Sequence, residues 1–159
     1  KSTLLSVLTK ARPKIADYPF TTLEPNLGVM EMGVGDKRKT VVIADIPGLI
    51  EGASQGKGLG IQFLRHVERT KVLVHLLAVD LQSGGGKLWN DYQMIRKELG
   101  EYEKKLLKKK EIVVLNKIDL LDEAQREEIK EYFKGKKMKL RLISAVTGEG
   151  VEELKKSLL

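Results

Sequence analysis

The chain has 159 residues, 42% apolar and 32% charged, with a formal charge of +7 and a pI near 9.5, which suits a single soluble domain large enough to bury a core. It contains no cysteine, which excludes a disulfide framework and a thiolate metal centre and agrees with a reducing cytoplasm. The longest apolar stretch, residues 72–79, is interrupted by His75 and far too short to cross a bilayer, and no secretory signal is visible.

Apolar spacing divides the chain into alternating helical and extended segments. Residues 2–10 read as a helix that ends near Pro13. Residues 27–33 and 39–45 read as a hairpin turning at Gly35-Asp36, and residues 59–69 have helical spacing. Residues 71–80 form a buried strand through Val72, Leu73, Val74, Leu76, Leu77, Ala78 and Val79. A long amphipathic helix is expected over residues 88–109, with Trp89, Tyr92, Ile95, Leu99, Tyr102 and Leu106 on its apolar side. A buried strand at 112–115, a helix at 123–133, a strand at 139–143 and a helix at 151–159 complete the chain.

Continuous apolar strands separated by helices predict an α/β fold, with a mostly parallel sheet covered on both faces. Ligands of such sheets bind at the C-terminal ends of the strands, and Asp45, Asn116 and Ser144 fall at or just after such ends. The glycine-rich residues 52–60 are expected to be a mobile loop, and Ser83-Gly84-Gly85-Gly86 a flexible connection. The positive charge permits a polyanionic partner such as RNA or a ribosome. It does not demand one: Lys104, Lys105, Lys108, Lys109 and Lys110 sit at the expected end of the long helix, where the macrodipole favours cations. Lys134, Lys136 and Lys137 flank Gly135 at another helix end, and 5% aromatics leave no platform for stacking single strands.

Four short stretches, in fixed order, describe one bound guanine nucleotide. Lys1-Ser2-Thr3 matches only the end of a G-x-x-x-x-G-K-[ST] phosphate loop, so its glycines and the preceding strand are expected outside the chain. The chain therefore reads as one domain, residues 1–159, incomplete at its N-terminus and expected by itself to bind nucleotide poorly. Lys1 would meet the β- and γ-phosphates, and the Ser2 hydroxyl would ligate Mg²⁺ at a helix N-terminus. A hydroxyl of Thr21 or Thr22 would complete the metal shell when a γ-phosphate is present. In Asp45-Ile46-Pro47-Gly48, Asp45 would support Mg²⁺ through water, and Gly48 would offer its N–H to the γ-phosphate.

Asn116-Lys117-Ile118-Asp119 is the most discriminating of the four. Guanine presents N1–H and N2–H₂ side by side, and the Asp119 carboxylate can accept both; adenine has no such pair. The Lys117 stem can lie over the base, Asn116 can tie loops together, and Ser144-Ala145 can offer a backbone N–H to guanine O6. Each stretch is weak alone, since Lys-Ser, Asp-x-x-Gly and Ser-Ala are common in turns and helix starts. Neither histidine, His66 or His75, has a metal-binding pattern, and His75 is expected to be a satisfied core residue.

The chain resembles the G domain of the Obg family of translational GTPases, within the P-loop class. The resemblance rests on Ile15-Ala16-Asp17-Tyr18-Pro19-Phe20-Thr21-Thr22-Leu23-Glu24-Pro25-Asn26-Leu27-Gly28, on Asp45 through Ala53 and on Asn116 through Leu121, and covers nearly all residues. It implies a Ras-like P-loop GTPase fold, Mg²⁺ held by Ser2, Thr22 and Asp45, and nucleotide contacts from Lys1, Ser2, Thr3, Thr22, Asp45, Gly48, Asn116, Lys117, Asp119, Ser144 and Ala145. Lys1, Thr22 and Gly48 then carry the catalytic contacts, with Thr22 rather than Thr21 as the switch residue. It further implies a cytoplasmic monomer that binds GTP and GDP, meets the large ribosomal subunit or its rRNA, and serves ribosome assembly or stress control. Leu49 stands where Ras-like enzymes carry a water-orienting glutamine, so hydrolysis is expected to be slow without help. Some relatives use K⁺ held by an asparagine of the phosphate loop, a position before Lys1. A nucleotide-gated ribosome-binding module, with hydrolysis incidental, is the rival reading. A nucleotide-free RNA-binding domain would rest on charge alone, and Asp119 in its motif argues against it.

Overall fold

The computed structural model describes residues 2–9, 26–33, 38–45, 67–79 and 84–159. Its elements are α1 (Ser2–Leu8), β1 (Asn26–Met32), β2 (Lys39–Asp45), β3 (Val72–Ala78), α2 (Gly85–Tyr102), β4 (Lys110–Asn116), α3 (Glu123–Gly135), β5 (Leu140–Leu142) and α4 (Val151–Ser157). Short 3-10 turns occupy Lys104–Lys108 and Ile118–Leu120.

Strand β4 is the axis of the core. It pairs in parallel with β3, His75 opposite Val113, and with β5, Leu140 also opposite Val113. Side chains alternate across a strand, so a parallel strand buried on both faces must be apolar throughout. Val113 and Leu115 pack with Leu88 and Tyr92 of α2 and with Ile129 and Phe133 of α3. Ile112 and Val114 face the other way, against Leu4 and Leu8 of α1 and Val151 and Leu154 of α4. Phe133, Ile129 and Leu154 are wholly buried, and each contributes about 1.5–3 kcal/mol through that burial. Strands β1 and β2 form an antiparallel pair, Asn26 opposite Asp45 and Met32 opposite Lys39. The expected α/β fold with helices on both faces is therefore present.

Three details differ from the sequence reading. Strand β3 is mostly half-buried rather than buried, because its second edge has no hydrogen-bonded strand among the described residues. The glycine run is no loose connection: Gly84 is the N-cap of α2, and Gly85 and Gly86 lie in its first turn. A Cβ on Gly85 would lie 2.6 Å from the Tyr132 side chain, so glycine there permits the close approach of α2 and α3. Finally, α2 stops at Tyr102 instead of running to Lys109. Glu103 turns extended, its side chain accepts the Lys105 N–H at 3.1 Å, and the chain doubles back. That reversal buries Leu106 against Val67 and Leu99. The lysines from 104 to 110 thus do not complement the α2 dipole. Lys109 instead donates to the carbonyls of Glu68 (2.8 Å) and Thr70.

One polar group is enclosed between the sheet and α2. Glu111, at the start of β4, is met by His75 Nδ1 at 3.1 Å, by the Tyr92 hydroxyl at 3.0 Å and by Arg96 Nη1 at 3.3 Å. Burial alone would raise the Glu111 carboxyl, but the His75 bond, the Arg96 charge and the Tyr92 hydroxyl outweigh it and hold it below its ordinary value. Tyr92 is pushed up to about 12, by burial first and by the Glu111 charge second. His75 is a partnered interior residue, as its place in the apolar strand predicts; it also packs against the Tyr92 ring at 4.8 Å. No helix among the described residues is long and apolar enough to cross a membrane.

Candidate functional site

At the C-terminal end of β4 the chain makes a sharp turn. Lys117 has φ 68° and ψ 33°, the left-handed region that a side chain with a Cβ adopts only at a cost. The turn is imposed from both sides: the Asn116 carbonyl accepts Val79 N–H at 3.3 Å, and the Ile118 N–H donates to Ile143 O at 3.3 Å. The 3-10 turn that follows, closed by Leu120 N–H to Lys117 O at 3.1 Å, carries Asp119. Such local strain is retained where the surroundings over-determine it, typically at functional sites.

The loop after β5 meets this turn. Ala145 N–H donates to Asn116 Oδ1 at 3.0 Å, and Ser144 Oγ donates to Asp119 Oδ1 at 2.6 Å. Asn116 and Ser144 are buried, whereas Lys117 and Asp119 are exposed. Ser144 is itself fixed: its N–H donates to Glu149 O at 2.9 Å, its carbonyl accepts Gly148 N–H at 2.9 Å, and its Oγ accepts Thr147 N–H at 3.1 Å. The loop closes at Gly150, the N-cap of α4, where φ is 71° and a Cβ would lie 2.3 Å from Leu142 O. The result is a solvent-facing carboxylate, oriented by a buried serine, beside an exposed lysine. It can accept a pair of adjacent N–H donors from a planar ligand.

All five residues expected to read the base, Asn116, Lys117, Asp119, Ser144 and Ala145, are brought together. One expected contact is differently arranged: the Ser144 and Ala145 N–H groups are both bonded within the protein, to Glu149 O and Asn116 Oδ1. The phosphate end is represented by less. Asp45 ends β2, half-buried and opposite Asn26. Thr3 is exposed in the first turn of α1, its carbonyl accepting Ser6 Oγ at 2.8 Å. Lys1, Thr21, Thr22, Gly48, Leu49, His66, the loop at 52–60 and the hairpin turn at Gly35-Asp36 lie outside the described residues, as does the Ser2 side chain. Two hydroxyls and a carboxylate are hard oxygen donors that suit Mg²⁺. Among the described residues no three His, Cys, Asp or Glu side chains cluster as a metal site; a set with Asp45 as its one carboxylate would form no such cluster.

The sequence reading does not single out two residues of this site, Arg126 and Glu149. Arg126, in the first turns of α3, donates from Nε to Ile118 O at 3.1 Å and Leu121 O at 3.3 Å, and from Nη1 to Glu149 Oε1 at 2.9 Å. The available signal was Asp122-x-x-Gln125. These two form a capping box, with Gln125 N–H to Asp122 Oδ1 at 2.8 Å and Asp122 N–H to Gln125 Oε1 at 3.0 Å. That box starts α3 at Glu123 and so sets Arg126 beside the Ile118–Leu120 turn.

Comparison with known proteins shows the family of the chain. The model of a family described as 50S ribosome-binding GTPase matches residues 1–117. The chain is 54% identical to GTPase Obg of Aquifex aeolicus, over 99% of the chain and 45% of that protein. It is 52% identical to GTPase Obg of Persephonella marina, over 97% of the chain and 44% of that protein. It therefore spans somewhat under half the length of these curated relatives. Among solved structures, Era in complex with MgGDPNP and a fragment of 16S ribosomal RNA shares its fold, with a TM-score of 0.67 at 24% identity, covering 99% of the chain and 51% of Era. Nucleolar GTP-binding protein 1 of Plasmodium falciparum matches with a TM-score of 0.55 at 20% identity, covering 99% of the chain and 77% of that protein.

Proposed function

The chain belongs to the 50S ribosome-binding GTPase family, and we propose that it carries the nucleotide switch of a protein that slowly hydrolyses GTP to GDP and phosphate. The observation that carries this reading is the Asp119 carboxylate, anchored by Ser144 Oγ at 2.6 Å while remaining exposed. Its oxygens accept guanine N1–H and N2–H₂, the Lys117 stem covers the base, and Asn116 ties the two base-reading loops. Ser144 acts through Asp119. Ala145 N–H reaches guanine O6 only if Asn116 Oδ1 releases it, so base binding and loop rearrangement are linked. Lys1 and Thr3 attend the phosphates, while Thr22 and Gly48 sense the γ-phosphate.

Ser2, Thr22 and Asp45 would hold Mg²⁺, which when bound neutralises charge on the β- and γ-phosphates. Leu49 cannot hydrogen-bond the attacking water, so fast turnover calls for a further group or a partner. The output is timed contact with the large ribosomal subunit or its rRNA, in ribosome assembly or stress control, by a cytoplasmic monomer. Leu49 also favours a second reading, in which the nucleotide gates ribosome docking and hydrolysis is incidental. Turnover measured with and without ribosomal subunits separates the two.

The base assignment is tested by titration calorimetry on the intact protein. GDP should bind and ADP should not compete. Asp119→Asn should weaken GDP at least about a hundredfold and favour xanthine nucleotides, whose C2 oxygen accepts from the new amide. Unchanged GDP affinity in that variant would remove Asp119 from the base site.

A further inference from the structure

The tips of the two loops proposed to read the base meet through Asn116–Ala145 and Asp119–Ser144, and Ile118 N–H donates to Ile143 O. Behind the tips a third element joins them. Arg126 projects from α3 onto two carbonyls of the 117–121 turn, Ile118 O and Leu121 O, and pairs with Glu149 of the other loop. Glu149 also supplies the carbonyl that holds Ser144 N–H at 2.9 Å, and Ser144 Oγ holds Asp119. The contacts form a closed ring: Asp119 to Ser144, Ser144 to Glu149, Glu149 to Arg126, and Arg126 back to the residues on either side of Asp119.

A ring differs from a chain of contacts because each member is constrained from two directions. The carboxylate that must accept two donors at once is held against rotation by Ser144 and against translation by the bonded backbone of its own turn. Arg126 suits this work because its planar guanidinium makes several hydrogen bonds in fixed directions, which an ammonium cannot. Its side chain is about one-fifth exposed, so its bonds are formed partly out of water. The Asp122–Gln125 capping box fixes where α3 begins, and with it where Arg126 stands.

We infer that Arg126 is a positioning residue for guanine recognition, closing through Ile118 O, Leu121 O and Glu149 a ring that sets the Asp119 carboxylate for two-donor acceptance. This rests on the assignment of Asp119 to the base. IDP separates positioning from mere stability, because hypoxanthine lacks the exocyclic amine and leaves one of the two Asp119 bonds unmade. Affinities for GDP and IDP are measured on the intact protein by calorimetry, for wild type, Arg126→Ala, Arg126→Lys and Glu149→Gln. Glu149 is half-exposed, so its variant keeps the test open if Arg126→Ala fails to fold.

Arg126→Ala should lower GDP affinity about tenfold while weakening IDP much less, a loss of charge-assisted bonds read through affinity. The GDP-to-IDP ratio therefore falls. Arg126→Lys should recover part of the ratio, and Glu149→Gln should lower it by a few-fold. A purely structural role weakens both nucleotides equally; an unchanged ratio in Arg126→Ala, or in Glu149→Gln where Arg126→Ala does not fold, overturns the inference. Asp119→Asn runs beside them. If that control leaves GDP affinity intact, the base-site reading falls and this inference falls with it; if the control responds and the ratio holds, only the inference falls.

Discussion

The two ends of β4 carry two carboxylates with opposite fates. At its start, Glu111 is enclosed and spends its oxygens on His75, Tyr92 and Arg96, all inside the fold. Just past its end, Asp119 is exposed and is bonded from one side by Ser144. The first network lies within the protein, although Arg96 Nη1, 3.3 Å from the Glu111 carboxylate, is buried with no hydrogen bond of its own. The second is held in place by the protein and faces solvent, where the proposed guanine would complete it. Burial of a charge is tolerated only with partners, so breaking the closed network is costly, whereas the open one, on the proposed reading, keeps orientation and strain for the sake of a ligand.

This contrast predicts that substitutions at the two ends affect different observables. Glu111→Gln should be the larger stability change. It removes the carboxylate charge that Arg96 pairs with, and removing one partner of a buried pair costs about 3–5 kcal/mol, less here because the Arg96 side chain is partly solvated. We expect a fall of roughly 2–3 kcal/mol in urea-unfolding stability, with the GDP-to-IDP ratio unchanged. A stable Glu111→Gln protein with altered base preference would erase the distinction between the ends.

The same network sets a pH window. The Glu111 carboxyl is held below its ordinary value of 4.5, so its stabilisation is present above that pH and disappears as pH falls through the lowered value. Tyr92 is raised from 10.0 to about 12, so its contribution is complete below pH 10 and lost as pH climbs toward 12. The groups facing Glu111 are His75 on β3 and Tyr92 and Arg96 on α2. Melting temperature against pH should therefore fall at both extremes, and Glu111→Gln should flatten the acid limb. An acid limb of unchanged slope in that variant would place the titrating group elsewhere.

How much of this was legible in the sequence follows from how far apart the interacting residues lie. The strand at 112–115 and the Asn116-Lys117-Ile118-Asp119 turn could be read because an unbroken apolar run and a four-residue motif are local signals. The P-loop GTPase fold and the Obg resemblance, read from such stretches, are borne out by the solved Era fold and by the Obg relatives. The Glu111 network was invisible, since its contacts join residues 19 and 36 positions apart and no period announces them. The end of α2 departs from the sequence expectation for a physical reason. Leu99, Tyr102 and Leu106 keep helical spacing, yet the chain turns at Glu103 and Leu106 reaches the same cluster from a reversed segment. A Cβ on Gly100 would lie 2.8 Å from Leu107 Cδ1, the end of a side chain of the returning segment. The roles of Lys1, Ser2, Thr22 and Gly48 remain proposals from the sequence alone.

The smallest expected effect lies at Lys117, where the open end stores its strain. A residue with a Cβ in the left-handed region loses about 1–2 kcal/mol, which glycine recovers. Glycine also adds freedom to the unfolded chain, which opposes this by about 0.4–1 kcal/mol. Lys117→Gly should therefore raise unfolding stability by up to about 1.6 kcal/mol, the largest difference of those two. In the intact protein it should also weaken GDP, because the stem proposed to cover the base is gone. Opposite signs for stability and affinity are the mark of a residue kept in a costly conformation for its ligand. At the closed end no residue of the network has positive φ, and Glu111→Gln lowers stability without a gain anywhere. If Lys117→Gly instead melted lower than the parent, the left-handed turn would carry no strain, and the difference between the two ends of β4 would reduce to exposure alone.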